Sequence, residues 1–176
     1  RADSSNRRQL FRWLGWFAMA NAVIFGLIGL RYLSGGPDTS SALAWIYLVT
    51  IYISHHSWLA LLPLLALAGP FILLRPSLRW CRTIAVVLMA LMIAVIMLDS
   101  LLWSQSRFHI NILTLKILGT PSLVFGGVMF LIGLLFESLL AGRIWSWVVS
   151  SPARGGRPLA VFVTLCLMVA QAIYAW

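Results

Sequence analysis

The sequence predicts an all-α, polytopic membrane protein with five transmembrane helices and a short interfacial helix before the second. Hydrophobic residues make up 61% of the 176 positions, charged residues make up 10%, and the mean hydropathy is +0.96. A soluble domain of this size could not bury so much apolar surface, and the exposed remainder would aggregate. The apolar residues fall in runs of membrane-spanning length, and the basic residues cluster between those runs.

The five spans follow from the length of the apolar runs, because a helix needs about 20 such residues to cross the hydrocarbon core. The predicted spans are residues 13–33, 57–74, 83–103, 123–140 and 159–176.

The apolar run before the second span is too long to join it in one perpendicular helix. Residues 41–54 are therefore predicted as a helix lying at the interface, with Trp45, Tyr47 and Tyr52 at headgroup level. Pro63 and Pro70 predict a kink in the second span.

The distribution of basic residues predicts the orientation. One side of the membrane would carry only Arg31, Arg107 and Lys116, and the other side the remaining ten of the 13 basic residues. This difference places the basic tail, residues 1–12, in the cytoplasm and Trp176 on the outer side. Anionic lipid headgroups are then a more suitable counter-charge than nucleic acid. The candidate lipid-binding arginines are Arg7, Arg8, Arg12, Arg75, Arg79, Arg82, Arg154 and Arg157.

Two acidic residues fall within the spans, Asp99 near the outer end of the third and Glu137 near the inner end of the fourth. Acids in such positions usually pair inside the bundle or belong to an ion path. The sequence offers no chain of titratable groups between the two, which favours pairing. The candidate partners are Arg107 or Arg31 for Asp99, and Arg143 or Arg82 for Glu137.

An outer polar cluster is predicted around the segment "LDSLLWSQSRFHIN", with simple solvation of a loop as the alternative. His55, His56 and His109 are also assigned to the outer interface, where hydrogen bonding is favoured over a zinc site, because adjacent histidines on a helix point apart. The cluster comprises Arg31, Asp99, Arg107, Phe108, His109 and Asn111.

Small residues recur every four positions in the first span, at Ala18, Ala22 and Gly26. Such a stripe lets another helix approach closely. It can serve the internal bundle or form a groove for the helix of a partner protein.

Nothing in the sequence predicts catalysis, a metal site or a cofactor. The segment "SSPAR", residues 150–154, fits a loose sulfatase nucleophile pattern, but four scattered acids cannot supply the metal ligands that this chemistry needs. Cys81 and Cys166 are predicted to be buried thiols rather than a disulfide or metal pair.

Short segments along nearly the whole chain resemble one known family. They lie in the order "WLGWFAMAN", "IGLRYL", Ile46 with Tyr47, His55 with Ser57, Asp99 with Ser100, "RFH", "RPLAVF", and Tyr174 with Trp176. The set is similar to the N-terminal membrane domain of the YejM (PbgA) family of Gram-negative inner-membrane proteins.

The resemblance implies five spans followed by a sulfatase-like periplasmic domain beyond Trp176. It also implies a regulatory role, in which the membrane domain binds the LapB adaptor and so limits FtsH proteolysis of LpxC, the deacetylase of lipid A synthesis. Lipopolysaccharide and cardiolipin are the lipids implied.

Two other functional classes stay open at this point. One is a bare membrane anchor for a periplasmic enzyme that acts on lipid headgroups, and the other is a transporter or channel subunit.

Overall fold

The computed structural model describes residues 2–33, 41–74, 77–107, 109–110, 112–150 and 168, and within them every regular element is a helix. Four helical stretches are long and apolar enough to cross a membrane: Asn6–Leu33, Ala42–Leu74, Leu78–Gln105 and Gly119–Ser150. An all-helical membrane protein is therefore confirmed for this part of the chain. The fifth predicted span, residues 159–176, lies outside the described residues apart from Met168.

Helix α1 (Ala2–Leu33) contains most of the predicted basic tail as well as the first span. Its buried face begins at Leu10 and continues through Trp13, Leu14 and Phe17, all 0–1% exposed. This 3–4-residue spacing gives one continuous apolar stripe, so the helix begins well before residue 13, where the hydropathy becomes uniform.

Helix α2 (Ala42–Pro63) differs from the prediction, since no break separates an interfacial helix at 41–54 from the second span. The predicted boundary falls in the polar segment at residues 54–57. In the structure the Ser54 hydroxyl donates to the Thr50 carbonyl, and His56 Nδ1 lies 2.8 Å from the Tyr52 carbonyl oxygen. Because the helix backbone satisfies these side chains, both are buried without interrupting the helix.

The predicted distortion near the two prolines takes the form of a π-helical turn, Leu64–Ala68, between α2 and α3 (Gly69–Leu74). Pro70 has no N–H and its ring would clash with the carbonyl of residue 66 in a regular helix. Widening the preceding turn, in which the Gly69 N–H bonds to the Leu64 carbonyl, relieves that clash.

Helix α4 (Leu78–Ser106) extends the predicted third span at both ends. It ends at Arg107, which adopts a left-handed conformation (φ 59°, ψ 20°) and donates its N–H to the Trp103 carbonyl. Left-handed C-terminal residues of this kind satisfy a carbonyl that the helix leaves free.

Helix α5 (Ile112–Ser150) contains the predicted fourth span and is kinked at Gly119 (φ 61°, ψ −154°). That backbone conformation is accessible essentially only to glycine. The stretch that is long and apolar enough to cross a membrane runs from Gly119 to Ser150, which is longer than the predicted span at residues 123–140. Glu137 lies in the middle third of this longer stretch.

Helix α1 is the centre of the bundle and contacts α2, α4 and α5. Trp13 stacks on Phe17 at a centroid distance of 5.1 Å, and its indole N–H donates to the Ala141 carbonyl of α5 over 3.1 Å. Helices α4 and α5 pack closely where Gly133 meets the backbone of Ala90. These contacts fix α1, α4 and α5 together.

Candidate functional site

A buried polar pair joins α1 to α5 in the middle of the bundle. The Asn21 amide donates to Glu137 Oε2 over 3.0 Å and to the Phe17 carbonyl over 3.1 Å, and both side chains are 0% exposed. Asn21 Oδ1 and Glu137 Oε1 have no hydrogen-bond partner among the described residues. Glu137 is therefore bonded to an amide, where the sequence predicted an arginine.

The predicted lipid-binding arginines lie in different environments. Arg82 is partly buried and donates to the Ser138 carbonyl over 2.8 Å, so it also joins α4 to α5. Arg8 and Arg79 are exposed, whereas Arg7 and Arg12 are half-buried. Arg75, Arg154 and Arg157 lie outside the described residues.

The small-residue stripe of α1 faces other helices of the same bundle. Ala18 is 4% exposed, and Ala22 packs against the buried core. The Tyr52 hydroxyl of α2 donates to the Gly26 carbonyl. The internal alternative therefore accounts for the positions of Ala18, Ala22 and Gly26.

Asp99 organises the outer polar cluster. Its Oδ2 accepts from the Tyr32 hydroxyl over 2.6 Å and lies 2.9 Å from His109 Nδ1, while its Oδ1 accepts from the Ile110 N–H over 2.6 Å. These bonds tie the end of α1 and the segment after α4 to one carboxylate. Charge-assisted bonds of this kind contribute more than neutral ones.

Trp103 carries the aromatic part of the same cluster. His109 stacks on its ring at 4.7 Å, and the Arg107 guanidinium carbon lies 5.8 Å from the ring centroid. Of the residues that the sequence assigned to this cluster, His109 contacts Asp99 and Trp103, and the Arg107 guanidinium lies over the Trp103 ring. Arg31 is exposed on the last turn of α1, and Phe108 and Asn111 lie outside the described residues.

A cavity of about 620 Å³ opens beside this cluster, between α1, α2 and α4. Cavities of this size are typical of small-molecule and lipid sites. Residue patterns alone could not have located it, because its lining comes from three helices and the segment after α4, which must first be packed together. The lining residues are Tyr32, Leu48, Ile51, Tyr52, His55, His56, Leu59, Met92, Val95, Ile96, Asp99, Trp103, His109 and Ile110.

The part of the chain that the structure describes holds no group of three or more histidine, cysteine, aspartate or glutamate side chains that could hold a metal ion. Cys81 is a buried free thiol, and Cys166 lies outside that part. The site can form hydrogen bonds and apolar contacts.

These features define a helical membrane domain with a polar cluster and an apolar cavity at one end. The chain belongs to the family described as "Domain of unknown function (DUF3413)", whose model matches residues 2–176. It is 26% identical over 179 residues to the inner membrane protein YejM of Salmonella typhimurium, and equally to that of Salmonella typhi.

Each of these matches covers 96% of the chain and 30% of the relative, so the chain spans less than a third of the relatives' length. The resemblance drawn from short segments is thereby confirmed. The chain corresponds to the membrane region of this family.

Proposed function

We propose that this chain is a regulatory, non-catalytic membrane domain of an inner-membrane protein that controls lipopolysaccharide synthesis. It would bind the LapB adaptor and so limit FtsH proteolysis of LpxC, and it would respond to lipopolysaccharide or another anionic lipid such as cardiolipin. The observation that carries this proposal is the end-to-end similarity to YejM, which is named as an inner membrane protein.

The chemistry of the described residues supports action by contact. Asp99 and Glu137 are both engaged in hydrogen bonds that join helices. A polar network that links helices fixes their relative positions. Helices held in this way present a stable surface to a partner.

The proposed orientation follows the basic residues. The half-buried and exposed arginines of α1 and α4, among them Arg8, Arg12 and Arg79, would lie at the cytoplasmic headgroups. Each exposed cation there contributes roughly 1 kcal/mol of attraction to anionic lipid. The N-terminus would be cytoplasmic and the C-terminus periplasmic.

The proposed contact surface for the LapB transmembrane helix is the outward face of α5. Leu131, Leu135 and Leu139, spaced one turn apart, are 65%, 66% and 64% exposed. This surface replaces the stripe at Ala18, Ala22 and Gly26, which packs inside the bundle. In a bilayer such a face contacts lipid or another helix equally well, so helix shape decides the association.

Co-purification with LapB tests the proposal. The full-length protein should retain LapB, and Leu131→Trp with Leu135→Trp should reduce the retained amount about tenfold. Leu27→Trp is the matched control, because Leu27 is also 64% exposed but lies on α1. Equal retention by all variants would show that the α5 face is wrong, and failure of the unsubstituted protein to retain LapB would refute the function.

The second candidate is an anchor for a periplasmic enzyme that acts on lipid headgroups. One observation favours an anchor: the match covers only 30% of the relative, so that protein is much longer than its membrane region. Exchanging residues 1–176 for an unrelated five-span domain distinguishes the two. An anchor would keep lipid A abundance unchanged after the exchange, whereas a regulator would not.

A further inference from the structure

The cavity beside Asp99 is a wedge between two diverging helices. Helix α4 packs against the π-helical turn, Leu64–Ala68, whereas the preceding α2 packs mainly on α1. The space between α2 and α4 therefore widens away from that turn, with α1 as its floor. It lies between two helices that both have membrane-spanning length and composition.

The inner walls of the wedge offer little to water. The Tyr52 hydroxyl is bonded to the Gly26 carbonyl, and His56 Nδ1 is held at the Tyr52 carbonyl. A buried water needs two to four polar partners, and an apolar cavity without them stays dry. Apolar side chains such as Ile51, Met92 and Val95 supply most of the remaining surface, and His55 of α2 also lines it. The ligand that fits is a hydrocarbon chain.

The mouth of the wedge has a different character. Asp99, Tyr32 and His109 close it with their mutual bonds, and the exposed guanidinium of Arg107 lies over Trp103 beside them. A cation at the end of an apolar slot matches a lipid, whose phosphate follows directly on its acyl chains. A peptide helix from a partner would not need this arrangement of charge.

We propose that the wedge between α2 and α4 holds one acyl chain of a phospholipid, with the phosphate beside Arg107. The acyl chain would enter sideways from the bilayer, and the volume of an acyl chain is compatible with the roughly 620 Å³ of the cavity. The site concerns lipid occupancy alone and does not depend on the proposed control of lipopolysaccharide synthesis.

Native mass spectrometry of the purified full chain tests the site by counting retained phospholipid. Val95→Trp places a large side chain in the wedge and should reduce tightly bound phospholipid at least tenfold. Val87→Trp is the matched control on the same helix, because Val87 is 43% exposed, Val95 is 45% exposed, and only Val95 lines the cavity. The control should retain lipid as the unsubstituted chain does.

Two further variants keep the test decisive. Ile51→Trp fills the wedge from the opposite wall and should reproduce the loss if Val95→Trp fails to fold. Arg107→Ala should weaken retention of added phosphatidylethanolamine and phosphatidylglycerol alike, by about fivefold, because both carry the phosphate. A loss confined to phosphatidylglycerol would overturn the placement of the phosphate at Arg107.

Three results would overturn the site itself. They are a chain that retains no phospholipid, equal loss in the Val95 and Val87 variants, and a cross-link from the wedge to residues 151–176 of the same chain. The last result would show that the chain fills its own cavity.

Discussion

Replacing Glu137 with glutamine should stabilise the protein, although Glu137 is 0% exposed and hydrogen-bonded. In the structure the Asn21 amide donates to Glu137 Oε2, while Asn21 Oδ1 and Glu137 Oε1 have no partner among the described residues. Glutamine has the same shape, keeps one acceptor and adds a donor that Asn21 Oδ1 can accept. Two reciprocal bonds would then replace one.

The magnitude follows from measured hydrogen bonds between membrane helices, which contribute about 0.6 kcal/mol on average and up to about 1.7. Glu137→Gln should raise the free energy of unfolding by roughly this amount. Asn21→Leu should lower it by about 1–2 kcal/mol, because it removes the bond and leaves both carboxyl oxygens buried without a partner. The double variant should reveal coupling of similar size between the two positions.

Unfolding by sodium dodecyl sulfate in mixed micelles provides the assay, followed by fluorescence of the chain's nine tryptophans. Val23→Leu is the control beside Asn21, since Val23 is 59% exposed and its change should stay within about 0.5 kcal/mol. A loss of stability in Glu137→Gln as large as that in Asn21→Leu would refute the reasoning. It would mean that the carboxylate charge itself holds α1 to α5.

Three other substitutions and one control substitution test the packing of the bundle by the same assay. Gly119→Ala should lower the free energy of unfolding by about 1–3 kcal/mol, because the Gly119 backbone is in a conformation restricted to glycine. Gly126→Ala is the control: it has open space around it and should be neutral or stabilising by up to about 1 kcal/mol. Gly133→Ala should cost about 1–3 kcal/mol, since the new methyl carbon would lie 3.3 Å from the backbone of Ala90. Trp13→Phe should cost about 0.5–1.5 kcal/mol through loss of its hydrogen bond to α5. A neutral result at Gly119, Gly133 or Trp13 would contradict the packing described.

Hydropathy predicted the helical spans because the bilayer requires every span to be both long and apolar. Four of the five predicted spans have counterparts in the described residues. The ends were less predictable. The buried stripe of α1 begins at Leu10, among basic residues that lower the local hydropathy, and α5 begins before the kink at Gly119.

The interfacial helix was predicted because the apolar run before the second span is too long to join it in one perpendicular helix, and the predicted division falls at the polar residues Ser54, His55 and His56. Sequence alone does not show whether a polar side chain finds a partner in its own helix. Here the Thr50 carbonyl accepts from Ser54, and His56 Nδ1 lies at the Tyr52 carbonyl. The His56 ring also lies close to Gly29, which buries His56 against α1. A polar interruption therefore marks a boundary only when its groups need water.

The partners of Asp99 show a second limit of the sequence. Charge pairing favoured an arginine, and it did not indicate the Tyr32 hydroxyl, His109 or the Ile110 N–H, which the structure places at this carboxylate. Arg107 takes the left-handed position that ends the helix, which turns the chain so that the Ile110 N–H and His109 reach Asp99. Tyr32 reaches the same carboxylate from the last turn of α1. No sequence pattern links residues 32, 99 and 110, because three separate segments must first be packed.

The buried pair of Asn21 with Glu137 and the outer polar cluster around Asp99, here called the two polar centres, together determine which helix can move. Asn21 joins α1 to α5 in the middle of the bundle, and Trp13 joins the same two helices nearer the start of α1. Tyr32, near the other end of α1, joins it to Asp99 of α4. Separating α1 from α4 or α5 would therefore break the hydrogen bonds of Tyr32, or those of Trp13 and Asn21. Helix α2 is held chiefly by its contacts with α1, around Tyr52, and it diverges from α4. Because the wedge lies between α2 and α4, a change in its width must come from a tilt of α2 on α1, which leaves both polar centres intact.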